Sequence, residues 1–337
     1  MTKPATGTHL DRATAYLERT GFSKTETAVL ELPGDASDRH YVRVRSSDGS
    51  SFILLIHQDS IDSDVLPFFD AARVLTRMSI PTPVIRDHAD DLGILVLDDL
   101  GDTTLFKRLD TATYEQRYTL YTEAVDLIAQ MQRRGQEIAS PEYLPFMSSF
   151  DEEKFSSELN FFIDHYLVSY RHAYLTALDC AALDEEFHSL ARELAAEPRV
   201  FCHRDYHSRN LMLHDGRLYV IDFQDARMGP DTYDLVSLLR DCYVDNEPSF
   251  VSRMISRYHE QMGSLANSSY CERFDLMSVQ RHLKALGTFG YQTAVIGKSG
   301  YVAAIQRTLG YLAGVFQRHT RFDRLRTLLT AHVPSLG

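Results

Sequence analysis

The sequence has no tryptophan, no long apolar run and only four cysteines, which are Cys180, Cys202, Cys242 and Cys271. Because these cysteines are far apart and form no C-x-x-C pair, free thiols in a reducing cytoplasm are favoured over a disulfide framework. No apolar segment approaches the roughly 20 residues that cross a bilayer, and none follows Lys3 near the N-terminus. A membrane span and a signal peptide are therefore not expected, and the pattern predicts a cytoplasmic protein.

Positive charge is also scarce. Lys and Arg number 35 against 47 Asp and Glu, so the formal net charge is −12. A surface of this sign repels phosphate backbones and anionic lipid, which argues against nucleic acid and membranes as partners. Hydrophobic residues make up 44% of the 337 residues, enough to bury a large core in one domain or in two lobes around a cleft.

In the first hundred residues, several short segments are apolar or alternate between apolar and polar residues, as β-strands do. A short amphipathic helix is expected at residues 10–19, and a longer one at residues 64–78, which prolines at 81 and 83 end. The first three strands should form an antiparallel meander, since only short turns join them. The predicted strands are residues 28–32, 41–45, 52–56, 84–85 and 94–97.

Beyond residue 98 the character of the chain changes to acidic turn residues and then mainly to helices. We therefore predict two lobes, residues 1–98 and residues 99–337. The second lobe should contain helices at residues 114–134, 153–170 and 183–196, and short strands at residues 199–202 and 218–221.

The residues that carry chemistry lie between and after these two short strands. Asp205 follows His203-Arg204, Asn210 lies five residues further on, and Asp222 follows the second strand. Phosphoryl transfer requires a positioned acceptor and metal ions that compensate negative charge. Asp205 is placed to take a proton from a hydroxyl, while Asn210 and Asp222 offer the hard oxygens that Mg²⁺ prefers. The pattern predicts a magnesium-dependent kinase; the simpler reading, turn caps and a strand end, does not account for the joint spacing.

These residues belong to longer strings through which the chain resembles the aminoglycoside phosphotransferase-like kinases. Within them it is most similar to bacterial kinases that phosphorylate cell-wall amino sugars at the anomeric hydroxyl. The resemblance implies an α+β, two-lobed protein-kinase-like fold with a small antiparallel-sheet N-lobe and a larger helical C-lobe. It also implies ATP and Mg²⁺ as cofactors. The strings are residues 34–41, 97–102, 203–210, 222–226, 229–235 and 286–290.

The resemblance also implies roles for single residues. Asp205 would be the catalytic base, His207 would face the γ-phosphate, and Asp234 would brace the catalytic loop. Asn210 and Asp222 would be the metal ligands. The expected nucleotide contacts are a turn over the phosphates and backbone groups near the adenine, at Gly34, Ser37, Arg39, Asp98, Asp99 and Leu100.

One expected cation is missing. Protein kinases carry a Lys on the third strand and a partner Glu on the next helix, but residues 52–56 contain no Lys and residues 64–78 no Glu. The amino-sugar subgroup lacks this Lys as well, so its absence agrees with the resemblance. Arg39, Arg43 or His207 would have to supply the charge.

The acceptor is expected to be the anomeric hydroxyl of an N-acetylated amino sugar. Asp225, Arg240 and Asp241 could face that sugar, although each could equally form an ion pair. Alternative acceptors are an aminoglycoside, a choline-like compound or a sugar 6-hydroxyl. The alternative to an enzyme is a non-catalytic nucleotide-binding scaffold.

Other interpretations of the same residues are weaker. The sequence Gly297-Lys298-Ser299 resembles the end of a P-loop, but Gln292 stands where that motif needs glycine. A two-metal hydrolase built on His203 and its neighbours would leave Asn210 unexplained. We expect His203 to be buried and to hold its loop through hydrogen bonds, and the residues at 98–99 to form a solvated turn.

Overall fold

The computed structural model describes residues 7–22, 27–32, 39–264 and 268–337, so Gly34 and Ser37 lie outside the described residues. In the N-terminal part, five strands form one antiparallel sheet in the order β1-β2-β3-β5-β4. The predicted meander of the first three strands is confirmed. The strands are β1 (Thr27–Leu32), β2 (His40–Ser46), β3 (Ser51–Ile56), β4 (Ile85–Ala89) and β5 (Ile94–Asp98).

Strand β3 is apolar from Phe52 to Ile56 because helices cover both faces of the sheet. Leu54 and Ile56 pack with the helix α1 (His9–Arg19), whereas Ile53 and Leu55 pack with the helix α2 (Pro67–Arg77). Successive side chains of a strand point to opposite faces, so a strand buried on both sides needs apolar residues at every position.

The C-terminal part is mainly helical, as expected, and adds two small two-stranded sheets. β6 (Arg199–Cys202) pairs with β9 (Arg227–Pro230), and β7 (Leu211–His214) pairs with β8 (Arg217–Val220). The helices are α3 (Leu105–Leu109), α4 (Tyr114–Ile138), α5 (Leu144–Met147), α6 (Glu152–Phe162), α7 (Ala177–Ala195), α8 (Tyr233–Leu239), α9 (Pro248–Gln261), α10 (Ser268–Ala294), α11 (Val302–Arg318) and α12 (Asp323–Thr330).

The predicted fold class is confirmed, and most differences concern the ends of elements. Helix α7 begins at Ala177, earlier than expected, because Thr176 and Asp179 form a capping box at its start. β6 and β8 were predicted, whereas β7 and β9, which are equally short, were not. β9 contains Gly229 and Pro230, which are residues typical of turns. β5 ends at Asp98, where we propose to divide the two lobes.

One main core runs through both parts of the chain. It joins buried residues of α2, β3 and β5 to those of the C-terminal helices. The ring of Phe68 on α2 lies 4.7 Å from the ring of Phe223, next to the predicted metal ligand Asp222. Among the described residues, no helix has both the length and the apolar character needed to cross a membrane.

The helix predicted at residues 153–170 changes its hydrogen-bonding pattern at Ile163, where a π-helical segment, Ile163–Tyr170, begins. This segment packs against α10, and Gly290 permits the close approach. A Cβ atom on Gly290 would lie 2.4 Å from the backbone oxygen of His165 and 2.9 Å from the Cα of Tyr166. Backbone atoms cannot move aside as a flexible side chain would, so the two helices meet this closely only with glycine here.

We expect Gly290→Ala to lower the free energy of unfolding by about 1–3 kcal/mol, the usual cost of forcing extra atoms into a packed interior. Gly310→Ala is the matched control, since Gly310 is also helical and a Cβ there would meet nothing within 4 Å. That variant should gain about 0.5–1 kcal/mol from its higher helix propensity. Urea unfolding of both variants measures the difference, and equal stabilities would contradict the packing argument.

Candidate active site

The loop after β6 is held by a buried carboxylate. The backbone N–H groups of His203 and Arg204 donate to the two carboxylate oxygens of Asp234, at 2.7 and 3.0 Å. Arg204 has a φ of 85°, a conformation that costs free energy for a residue with a side chain. The imidazole of His203 is buried and lies 3.0 Å from the carbonyl oxygen of Ile221. The bracing roles predicted for Asp234 and His203 are confirmed.

A second buried carboxylate holds the following residues. Asp241 accepts hydrogen bonds from the backbone N–H of Ser208, at 2.9 Å, and from that of Tyr243, at 2.8 Å. The hydroxyl of Tyr206 donates to the carbonyl oxygen of Ala124 on α4. The loop between β6 and β7 is thus fixed from both sides, and Asp205 lies at its middle.

The two predicted metal ligands come together beside this loop. Asn210 donates from its amide to the carbonyl oxygen of Asp205, at 2.9 Å, and lies 3.5 Å from the carboxylate of Asp222. Asp222 also has a positive φ, 63°, and its carboxylate accepts a hydrogen bond from Gln224 at 3.0 Å. A buried side-chain oxygen of Gln224 lacks a hydrogen-bond partner within the described part of the chain.

These donors fit a hard divalent cation. A carboxylate and an amide oxygen, with room left for phosphate and water, are the ligands that Mg²⁺ usually has in phosphoryl-transfer sites. Softer metals would be expected with Cys or His ligands. The exposed group of His9, Glu31 and His40 near the start of β2 is a different cluster, remote in sequence from this loop.

Asp205 is surrounded by cations. Lys284 Nζ lies 3.0 Å from one carboxylate oxygen of Asp205, and the guanidinium of Arg281 lies 3.5 Å from the same oxygen. Arg204 approaches the other oxygen at 4.0 Å. Burial alone would raise the pKa of Asp205, but the charges of Lys284, Arg204 and Arg281 hold that pKa well below its usual range. Asp205 is therefore a carboxylate at neutral pH.

Neither Arg281 nor Lys284 was predicted. Both lie on α10, 76 and 79 residues from Asp205. The only signal in the sequence is that they directly precede the family-like string at residues 286–290. That string indicated that the segment is important, but it did not show which side chains contact the loop that contains Asp205.

The three cations proposed for the missing Lys lie in different places. Arg39 contacts Asp222, with 3.3 Å between Nη2 and Oδ1. Arg43 is buried and pairs with Asp99 and Asp102, each at 2.8 Å, so its charge is committed to the junction of the lobes. The expectation that Asp99 lies in a solvated turn is therefore wrong, because its carboxylate is buried against Arg43.

Asp98 and Leu100, the other two junction residues, also have hydrogen-bond partners within the protein. Asp98 accepts hydrogen bonds from the backbone of Val84 at 3.0 Å and from Arg86 at 2.6 Å. The carbonyl oxygen of Leu100 lies 3.2 Å from a ring nitrogen of His214.

His207 is half-buried, with its ring edge-on to Tyr243 at 5.5 Å between centroids. Burial lowers the pKa of His207, an effect that Asp241 and Asp205 oppose. The imidazole is thus neutral at pH 7 and can contact a phosphoryl group without adding a full positive charge.

A cavity opens beside Asp205 on the side of α10. Its wall includes His207, Arg240, Asp241, Tyr243, Lys284 and Phe289. Two of the three residues predicted to face the acceptor, Arg240 and Asp241, are in this wall. Asp225 is not, and forms ion pairs with Arg204 at 3.2 Å and Arg227 at 3.7 Å. Arg240 also has an ion-pair partner, Asp275.

Comparison with known proteins agrees with this geometry. The family model described as "Phosphotransferase enzyme family" matches residues 28–267. A Neisseria meningitidis protein named N-acetylmuramate/N-acetylglucosamine kinase is 34% identical over 324 residues, 94% of this chain and 92% of the relative. A Pseudomonas aeruginosa protein of the same name is 30% identical, over 90% of this chain and 88% of the relative.

Solved structures resemble the chain in fold. A choline/ethanolamine kinase family protein from Mesorhizobium loti superposes with a TM-score of 0.62 at 15% identity, over 98% of this chain and 99% of the other. A structure of an amicoumacin kinase in complex with AMP-PNP, Ca²⁺ and Ami gives a TM-score of 0.61 at 16% identity, over 89% of this chain and 93% of the other.

Proposed function

The chain belongs to the phosphotransferase enzyme family, and from this premise we propose that it phosphorylates N-acetylmuramate and N-acetylglucosamine at the anomeric hydroxyl, using ATP and Mg²⁺. The observation that carries the proposal is the position of Asp205. Asp205 is in the wall of the cavity, and its backbone carbonyl oxygen accepts a hydrogen bond from Asn210, which lies 3.5 Å from the carboxylate of Asp222. An acceptor in the cavity would thus reach a phosphoryl group held at Asn210 and Asp222.

Asp205 would orient the acceptor hydroxyl and take its proton as the bond to phosphorus forms. Its low pKa makes it a weak base, but a loose phosphoryl-transfer transition state needs little deprotonation of the nucleophile before attack. An anomeric hydroxyl is more acidic than an ordinary alcohol, which lowers the demand further. Positioning is therefore the main contribution that we assign to Asp205.

Asn210 and Asp222 would hold the metal, which when bound supplies positive charge to the phosphates. We propose Arg39 as the cation that replaces the missing Lys, because it already contacts Asp222. His207 would face the transferring phosphoryl group. The turn with Gly34 and Ser37 would cover the phosphates, and backbone groups at Asp98–Leu100 would hold the adenine. Arg240 and Asp241 would shape the acceptor cavity.

A reducing cytoplasm is the compartment that we propose, because ATP is available there and all four cysteines are free in the structure.

Asp205→Asn should lower the rate of phosphoryl transfer by about 10²–10⁴-fold, as expected for loss of a general base. Asp215→Asn is the control, since Asp215 is exposed in the turn between β7 and β8 and its φ of 48° suits asparagine. ADP release with N-acetylglucosamine as acceptor measures both rates, and thermal unfolding verifies that both variants are folded. Near wild-type turnover of Asp205→Asn would remove Asp205 from the mechanism.

Asp222→Ala should impair turnover more than Asn210→Ala, because it removes a charged metal ligand rather than a neutral one. Raising the Mg²⁺ concentration should restore part of the activity of Asn210→Ala. The measurement is the initial rate as a function of Mg²⁺ concentration. If both variants titrate with Mg²⁺ as the wild type does, the metal assignment is incorrect.

Two sugar analogues test the acceptor hydroxyl. The 1-O-methyl glycoside of N-acetylglucosamine has no free anomeric hydroxyl and should be inert, whereas the 6-deoxy sugar should still be phosphorylated. The reverse result would identify a 6-kinase. Rejection of every amino sugar would refute the proposed substrate and direct the screen to choline-like and aminoglycoside acceptors.

A further inference from the structure

Two cations of α10 meet the catalytic carboxylate from the side of the acceptor cavity. Arg281 and Lys284 are three residues apart, which places them on one face of the helix. Both contact the same oxygen of Asp205, and both are in the wall of the cavity. In a protein with a net charge of −12, two cations at one carboxylate require an explanation.

The two cations are not equivalent. Arg281 is anchored, because its guanidinium also donates to the hydroxyl of Tyr233 at 3.2 Å and stacks over that ring at 4.9 Å from the centroid. The ammonium group of Lys284 has Asp205 as its one hydrogen-bond partner among the described residues. A lysine carries a compact charge on a flexible stem. Lys284 can therefore turn into the cavity, whereas Arg281 stays in place.

Most other charged atoms of the cavity wall have partners, although Nη1 of Arg240 is buried without a hydrogen-bond partner among the described residues. Both carboxylate oxygens of Asp241 accept backbone hydrogen bonds. Arg240 is paired with Asp275, which also pairs with Arg318 and His319. When Asp205 turns to an acceptor hydroxyl, the partly buried ammonium of Lys284 loses its partner. An unpaired buried charge is costly, so the site is suited to an acceptor that brings a carboxylate of its own.

We infer that Lys284 binds the carboxylate of the acceptor and makes the enzyme prefer an acidic amino sugar to a neutral one. The inference rests on the proposed function. N-acetylmuramate and N-acetylglucosamine share the anomeric hydroxyl and the N-acetyl group, but only N-acetylmuramate carries a lactyl ether, which ends in a carboxylate. Lys284 thus acts on the one group by which the two acceptors differ.

The same contact couples acceptor binding to the state of Asp205. In the free protein Lys284 occupies one oxygen of Asp205. A substrate carboxylate draws Lys284 away and leaves that oxygen open to the anomeric hydroxyl. A neutral sugar offers Lys284 no such alternative partner.

The test compares kcat/KM for the two sugars in the wild type and in Lys284→Gln. Loss of one charge-assisted contact should lower kcat/KM for N-acetylmuramate by about 10- to 100-fold relative to that for N-acetylglucosamine. Lys284→Arg should retain most of the preference, since it keeps the charge. Calorimetric Kd values for both sugars without nucleotide should show the same selective loss.

Lys154→Gln is the matched control. Lys154 is a half-buried lysine that feels the charge of Lys284 but pairs with Glu158 and lies outside the cavity wall. Its substitution should leave the ratio of kcat/KM values unchanged. If Lys154→Gln changes the ratio as much as Lys284→Gln does, the effect comes from general electrostatics and the inference is overturned.

A second arm uses the wild type alone, so it does not depend on how a variant folds. The neutral lactamide of N-acetylmuramate, which lacks the carboxylate charge, should lose the preference. The inference is overturned if the lactamide is as good a substrate as N-acetylmuramate, or if Lys284→Gln slows both sugars equally. It is also overturned if the wild type accepts N-acetylglucosamine and rejects N-acetylmuramate, a result that leaves the proposed function in place. Rejection of both sugars by the wild type would instead refute the proposed function itself.

Discussion

The buried carboxylate of Asp234 is the constraint on which the site depends. It accepts the backbone N–H groups of His203 and Arg204, and so holds the chain in the positive-φ turn that presents Asp205. Burial raises the pKa of Asp234, while the charge of His203 and these hydrogen bonds lower it. A buried polar group without such partners would cost several kcal/mol. The hydrogen bonds to Asp234 thus satisfy a buried group and also orient Asp205, which we propose as the catalytic base.

The electrostatics of the site are opposite to those of the whole chain. The sequence is acidic, yet Asp205 lies among Lys284, Arg204 and Arg281. This local excess of cations keeps the carboxylate ionised in a buried place and offers positive charge to anionic substrates. Arg39 at Asp222 extends the same arrangement toward the metal ligands. The net charge led us to expect no polyanionic partner, but it says nothing about the electrostatic field at one cavity.

Much of the fold could be predicted from local pattern. The apolar run of residues 52–56 in β3 and the helical spacing of apolar residues in α2 match the burial in the structure. The alternation of β2 matches it only in part, because Arg43 is buried as well as Val42 and Val44. The spacing of Asp205, Asn210 and Asp222 indicated the chemistry because all three lie within one short stretch, where few chain geometries are possible. The π-helical segment at Ile163–Tyr170 had no such signature, since its register follows from contact with α10.

The sequence alone therefore determined the class of fold, the family resemblance and the residues that we propose for the catalytic loop, because these depend on neighbours along the chain. The tertiary structure decided which distant charges meet. It pairs Arg43 with Asp99 at the junction of the lobes, and it brings Lys284 and Arg281 to Asp205 across more than 70 residues. Such pairs produce no periodic pattern in the sequence, since a charged residue on a helix gives the same pattern whether its side chain faces water or the carboxylate of Asp205. Only the packing of α10 against the loop distinguishes the two.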